Sequence, residues 1–155
     1  MFIYLIERHK YLSSVLSGLG AARHGGRWNF KDTPAIYASE SRSLAMLEIL
    51  VHTRTTALVP HDKVIVSIEI PSQEFCYTIT TEDLPPHWDA VPQPSPRLSR
   101  LFHKHCIQGG YGGLKVPSVV MPEEYNYVLN PQHSDFTQLV SISSLNPLHW
   151  DKRLS

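Results

Sequence analysis

Hydrophobic and polar positions follow one another in short blocks along this chain, and the blocks predict a strand-rich fold with one long early helix. Phe2–Ile6 is a run of β-formers and predicts a first strand. Gly18, Gly20, Gly25 and Gly26 punctuate a loop in which backbone can approach something closely. Pro34–Ser39 reads as a short buried strand that ends in polar residues. From Ser41 to His52 the period lengthens. Leu44, Leu47 and Val51 recur at helical spacing, Ala45, Met46 and Leu50 are strong helix formers, and Ser39 or Ser41 supplies the N-cap. Lys63–Ile70 returns to period two through Val64, Val66, Ile68 and Ile70, and Pro71 ends it. Pro85, Pro86, Pro92, Pro94 and Pro96 leave no room for a regular element, so this stretch predicts a long irregular loop, either a lid or a connector. Leu98–Ile107 predicts a second helix with Leu98, Leu101, Phe102 and His105 on one side. After a sharp Gly109–Gly113 loop, Leu114–Met121, Tyr125–Leu129 and Phe136–Ile142 read as three more strands. Strands and helices do not alternate and no repeat is present. The expected class is therefore α+β, with mixed or antiparallel sheet, in one domain spanning residues 1–155.

Charge narrows the function classes. Fourteen Lys and Arg balance fourteen Asp and Glu, so the chain lacks the basic excess of a stand-alone nucleic-acid binder. Hydrophobic residues at 42% suffice for a core, while the 18% charged fraction falls below the usual ~25% and fits a surface partly covered by partners. No apolar run approaches the ~18 residues of a membrane span. Met1–Ile6 is too short, and lacks the basic lead and cleavage site, to be a secretory signal. Cys76 and Cys106 form no CxxC pair, so a disulfide framework is not expected and a reducing cytoplasm fits best.

Few residues offer chemistry by position. Glu48 lies beside the Leu44–Leu47–Val51 stripe, where a carboxylate is either paired structurally or functional. Arg27 follows Gly25-Gly26 and precedes Trp28-Asn29. A guanidinium behind a glycine turn suits a pyrophosphate or carboxylate clamp, or is a surface arginine beside a packing tryptophan. Ser118 puts a hydroxyl into an apolar strand, for a ligand or as a satisfied core serine, and no GxSxG surrounds it. Neither a P-loop nor a Rossmann fingerprint is present. The densest histidine cluster, His103-Lys104-His105-Cys106, lacks metal-ligand spacing, so no metal site is expected. Nothing identifies a base for Cys106 as nucleophile.

Taken in order, the segments Gly25-Gly-Arg27-Trp-Asn29, Pro34-Ala-Ile-Tyr37-Ala-Ser39, Leu44–His52 with Glu48, Val116-Pro-Ser118, Asn126-Tyr127, Asn130-Pro131 and Trp150–Leu154 resemble the RES-domain family, toxins of Xre–RES toxin–antitoxin modules. The resemblance runs over nearly the whole chain. It implies a fold similar to ADP-ribosyltransferases and NAD as substrate, with no metal. It carries the family's Arg, Glu and Ser onto Arg27, Glu48 and Ser118. Arg27 and Glu48 then have catalytic roles, and Tyr37, Ser118, Trp28 and Asn126 bind the dinucleotide, with Trp28 a packing residue rather than a catalytic one. The implied partner is an Xre-like helix-turn-helix antitoxin, with a homodimer as one arrangement within the complex and DNA reached only through the antitoxin. The chain departs from the family in its first strand, where many members carry an arginine and this one has Tyr4-Leu5-Ile6, so that it either lacks this residue or replaces it with Arg8 or Arg23. The expected function is a toxin that consumes NAD by glycohydrolase or phosphorylase-like cleavage. The alternatives are ADP-ribosyl transfer to a cellular protein and an inert partner-binding module. A metal-dependent hydrolase on His103 and His105 is a third reading.

Overall fold

The structure is a computed structural model, and it describes residues 1–53, 61–90 and 93–154. The observed class is α+β, as the element pattern predicts. Among the described residues, seven strands form one sheet in the order β4-β5-β6-β2-β1-β3-β7: β1 (Phe2–Arg8), β2 (Ile36–Ser39), β3 (Lys63–Glu69), β4 (Cys76–Thr78), β5 (Gly113–Pro117), β6 (Tyr125–Leu129) and β7 (Ser141–Pro147). All neighbours are antiparallel except β4 and β5. Side chains alternate between faces along each strand. Ile3 and Leu5 of β1, Ile36 and Ala38 of β2, Val66 and Ile68 of β3 and Tyr127 and Leu129 of β6 build one core, against which Leu12, Val15 and Leu16 of the 3-10 helix His9–Ser17 pack. On the opposite face Leu114, Val116 and Val128 pack with Leu98 and Phe102 of helix α3 (Pro96–Phe102) and with Trp28.

Two half-sheets meet at a narrow seam. β1 pairs with β3 over seven residues and β2 with β6 over four, but β1 and β2 share only the bridge Tyr4↔Ser39. Continuing that antiparallel register would match Leu5 with Ala38, Ile6 with Tyr37 and Glu7 with Ile36. None of those pairs forms, and all six residues instead line a cleft of about 750 Å³.

Several predicted elements differ. The expected loop at Gly18–Gly26 contains one helical turn, α1 (Leu19–Ala22), entered through Gly18 at φ +67°, where an added Cβ would lie 2.7 Å from the Ala35 nitrogen. The expected strand Leu114–Met121 stops at Pro117, because the Ser118 hydroxyl accepts the Val120 and Met121 amides and turns the chain. Phe136–Ile142 is not a strand. Phe136 and Val140, four apart, both face the core across the short helix α4 (Phe136–Leu139), and the strand β7 begins only at Ser141. The helix α3 continues as a π-helical stretch, His103–Gln108. The Pro85–Pro96 stretch holds a 3-10 turn, Trp88–Ala90, and ends in the start of α3. Its residues 91 and 92 lie outside those described. Among the described residues, no helix is long and apolar enough to cross a membrane.

Helix α2 (Arg42–Thr53) is the long early helix expected, capped by the Ser41 hydroxyl, which accepts the Leu44 amide at 3.0 Å. Its buried face is not the predicted stripe. Leu44 and Ala45 are buried, but Leu47 is 38% and Val51 57% exposed. The row Ala45, Glu48, Ile49 and His52 turns to the cleft instead. Glu48 thus sits on the inward face of the helix rather than at its margin.

Candidate active site

Glu48 is held by polar groups from two separate strand ends. Its Oε1 accepts the Ser118 hydroxyl at 2.9 Å and the Asn126 side-chain amide at 2.5 Å. Asn126 is oriented in turn by Ser39, whose hydroxyl donates to its Oδ1 at 2.7 Å. Ser39 on β2 and Asn126 on β6 are direct register partners, so the pairing of these strands delivers both side chains to one face. Ser118 is fully buried and its oxygen is fixed by the two backbone amides of its own turn. A carboxylate so placed is satisfied on one oxygen and presents its charge to the cleft. His52 does not pair with this carboxylate: its Nδ1 meets the Glu48 carbonyl, at 2.8 Å.

Tyr37, on β2, lines the same cleft. The residue is 36% exposed, while its hydroxyl is tied into the neighbouring turn, accepting the Trp28 amide at 3.1 Å and donating to the Asn29 Oδ1 at 2.7 Å. Burial is the main cause that pushes the phenol's pKa well up, so it stays protonated. Asn29 is fully buried and its amide donates to the carbonyls of Ala21, Phe30 and Thr33. Tyr37 and Asn29 therefore lock the turn that carries Arg27. Gly26 is required in this turn, since an added Cβ would lie 2.7 Å from the Tyr37 hydroxyl and 2.8 Å from the Asn29 Oδ1.

Arg27 is half-buried behind this turn, and its Nη1 donates to the Trp88 carbonyl at 3.0 Å. Burial lowers its pKa, opposed by the negative charges of Glu48 and Asp89. Arginine stays a cation in such a setting, so Arg27 is a positive charge within electrostatic reach of Glu48. The Pro85–Pro96 stretch braces Arg27 through Trp88 and holds the turn through the Ser95 amide, which donates to the Gly26 carbonyl.

The six residues singled out by sequence thus divide. Glu48, Tyr37 and Asn126 line the cleft, and Ser118 reaches it through Glu48. Arg27 is outside the lining set but within electrostatic reach of Glu48 and Tyr37. Trp28 is a correction: it is 4% exposed, packed in the core against Trp88 at 5.9 Å between ring centroids, so its side chain has no face to offer a ligand. Sequence reasoning missed Ser39 and Asn29 as site-building residues. The available signal is a small polar residue ending a buried strand and an asparagine beside a glycine turn. Among the described residues, no three His, Cys, Asp or Glu side chains gather as metal ligands.

Residues 2–151 match the RES domain. A protein named Toxin Res from Photorhabdus laumondii subsp. laumondii is 36% identical over 154 residues, 99% of this chain and 97% of that one. A Prs ADP-ribosylating toxin from Sphingobium sp. is 40% identical over 132 residues, covering 83% of this chain and 80% of its own. Among solved structures, the M. tuberculosis MbcT–MbcA toxin–antitoxin complex contains a similar fold at TM-score 0.72 and 20% identity, over 95% of this chain and 83% of that one.

Proposed function

The chain belongs to the RES-domain family, and from that premise we propose that it is the toxin of a type II toxin–antitoxin module and consumes NAD by cleaving the bond between nicotinamide and ribose. The observation that carries this reading is the Glu48 carboxylate, fixed through Oε1 by Ser118 and Asn126 in the wall of a cleft. The cleft volume, about 750 Å³, falls within the ~300–1,000 Å³ of small-molecule and cofactor sites. In this cleavage the electron pair of the glycosidic bond leaves with nicotinamide, which departs neutral, and positive charge develops on the ribose ring. Glu48 sets a preorganised negative charge against it. Oε2 is the oxygen left to meet a ribose hydroxyl or to orient the attacking water, which bonds to the anomeric carbon and releases its proton. The open ring face of Tyr37 offers a stacking surface. Arg27 acts from behind the wall, as the fixed countercharge to Glu48.

A second reading, ADP-ribosyl transfer to a protein, is favoured by the name of the Sphingobium relative. It uses the same Glu48 and differs only in the nucleophile. The proposed partner is an antitoxin, supported by the toxin–antitoxin complex among the similar structures. An Xre-like helix-turn-helix protein covering the cleft fits, with DNA contacted through it alone, and a cytoplasmic site of action follows from the substrate. Leu47 and Val51, exposed on the helix that carries Glu48, offer it apolar surface.

The test is NAD turnover by the purified chain with products resolved by mass, beside Glu48→Gln. Wild type is expected to release nicotinamide, and the variant to lose roughly 100- to 1,000-fold in kcat. ADP-ribose as product names water as acceptor, and a mass shift on an added cellular protein names transfer. An equally active Glu48→Gln would overturn the mechanism, and no NAD loss with or without cell extract leaves the inert binding module.

A further inference from the structure

Among the described residues, the charged side chains lining the cleft are two acids, Glu7 and Glu48, and two cations, Arg23 and Lys63. Arg27 is absent from the lining, and its Nη1 is committed to a carbonyl. Among these described lining residues, Arg23 and Lys63 are the cations placed to meet an anionic part of a ligand. Arg8, the other arginine near the first strand, is tied by its Nε to both Asp62 oxygens at 3.1 Å. Lys63 follows Asp62 in the chain and sits opposite Arg8 in the β1–β3 register, half-buried in a patch that already contains a carboxylate. Arg23 differs. It is exposed, follows directly on α1 in the wall formed by Gly18–Ala21, and its guanidinium makes no hydrogen bond or ion pair among the described residues. A guanidinium offers a planar fork of donors that matches two phosphate oxygens at once, which an ammonium cannot do.

We infer that Arg23 binds the pyrophosphate of the dinucleotide and sets how far the ligand slides along the cleft, so that its glycosidic end stands at Glu48. The inference rests on the NAD reading and adds to it the residue that recognises the ligand's charged middle.

The experiment compares wild type, Arg23→Gln, Arg23→Lys and Lys63→Gln. It uses calorimetric binding of ADP-ribose and of adenosine, KM and kcat for NAD, and a thermal melt to verify folding. Arg23→Gln is expected to weaken ADP-ribose binding and raise KM by about 10- to 100-fold, with a smaller change in kcat, since a charge-assisted contact is lost from the bound state. Adenosine, which has no phosphate, should bind Arg23→Gln as it binds wild type. Arg23→Lys should recover part of the loss, and Lys63→Gln should change ADP-ribose affinity by less than about threefold. ADP-ribose binding unchanged in a folded Arg23→Gln overturns the inference, as does a loss shared equally by adenosine or carried by Lys63→Gln. Failure of wild type to bind either NAD or ADP-ribose overturns the NAD reading, and this inference with it.

Discussion

Tyr37 has two separate jobs in one side chain. Its ring faces the cleft, while its hydroxyl bridges the Trp28 amide and Asn29 and so fixes the turn behind Arg27. Removing only the oxygen separates these jobs. Tyr37→Phe should keep the ring and leave the buried Asn29 Oδ1 and Trp28 amide short of a partner, at about 1–3 kcal/mol of stability. Urea unfolding measures that cost. Activity should fall as well, through the loosened Arg27 turn, and a Tyr37→Phe protein as stable as wild type would contradict the bridging role. Glu48 shows how residue-scale legibility works. Its type and position beside an apolar row mark it as a candidate, but its partners come from residues 70 and 78 positions away. Such contacts belong to strand pairing, which no local pattern encodes.

At the scale of the element, α2 is both the most legible part of the fold and the most misleading. Its ends, cap and length follow from local chemistry: Ser41 as cap, strong formers within, Arg42–Thr53 in the structure. Ser41→Ala should therefore cost about 1 kcal/mol, readable as a shift in the urea midpoint at unchanged m-value. Its facing is another matter. Periodicity assigns the core to Leu44, Leu47 and Val51, yet Leu47 and Val51 lie outward and the polar-bearing row of Glu48 and His52 turns to the cleft. Helical spacing of apolar residues marks an apolar face but does not say whether that face meets this chain's own core. β3 is readable in full, because Val64, Val66 and Ile68 alternate along it, although the structure buries both of its faces from Val64 to Ile68. β7 is not, because every position but one is exposed and its composition, rich in Ser, carries no strand signal.

For the whole molecule, the two cores on opposite faces of the sheet each contain one free cysteine. Cys76 lies in the core with Ile3 and Val66, and Cys106 in the core with Leu98 and Phe102. Burial pushes the Cys76 thiol up to about 12 and raises Cys106 further, in second place through its neighbour Cys76. A raised thiol pKa means little thiolate at neutral pH, and thiolate is the reactive form. Both should resist a water-soluble thiol reagent in the native protein and react together at the rate of global opening. Labelling resolved by peptide mass checks this, and early reaction of one cysteine alone would mean that the two faces open separately.

The seam between β1 and β2 has a consequence for how this protein tolerates change. Three register pairs beyond Tyr4↔Ser39 are left unmade, a gap of about 10 Å at ~3.3 Å per residue. Any set of substitutions that drew Leu5, Ile6 and Glu7 against Ala38, Tyr37 and Ile36 would complete the ladder, add strand hydrogen bonds and close the cleft. The most direct route to a sturdier chain is therefore also a route to a blank one. These strand faces are therefore a place where added strand pairing and an open cleft oppose each other.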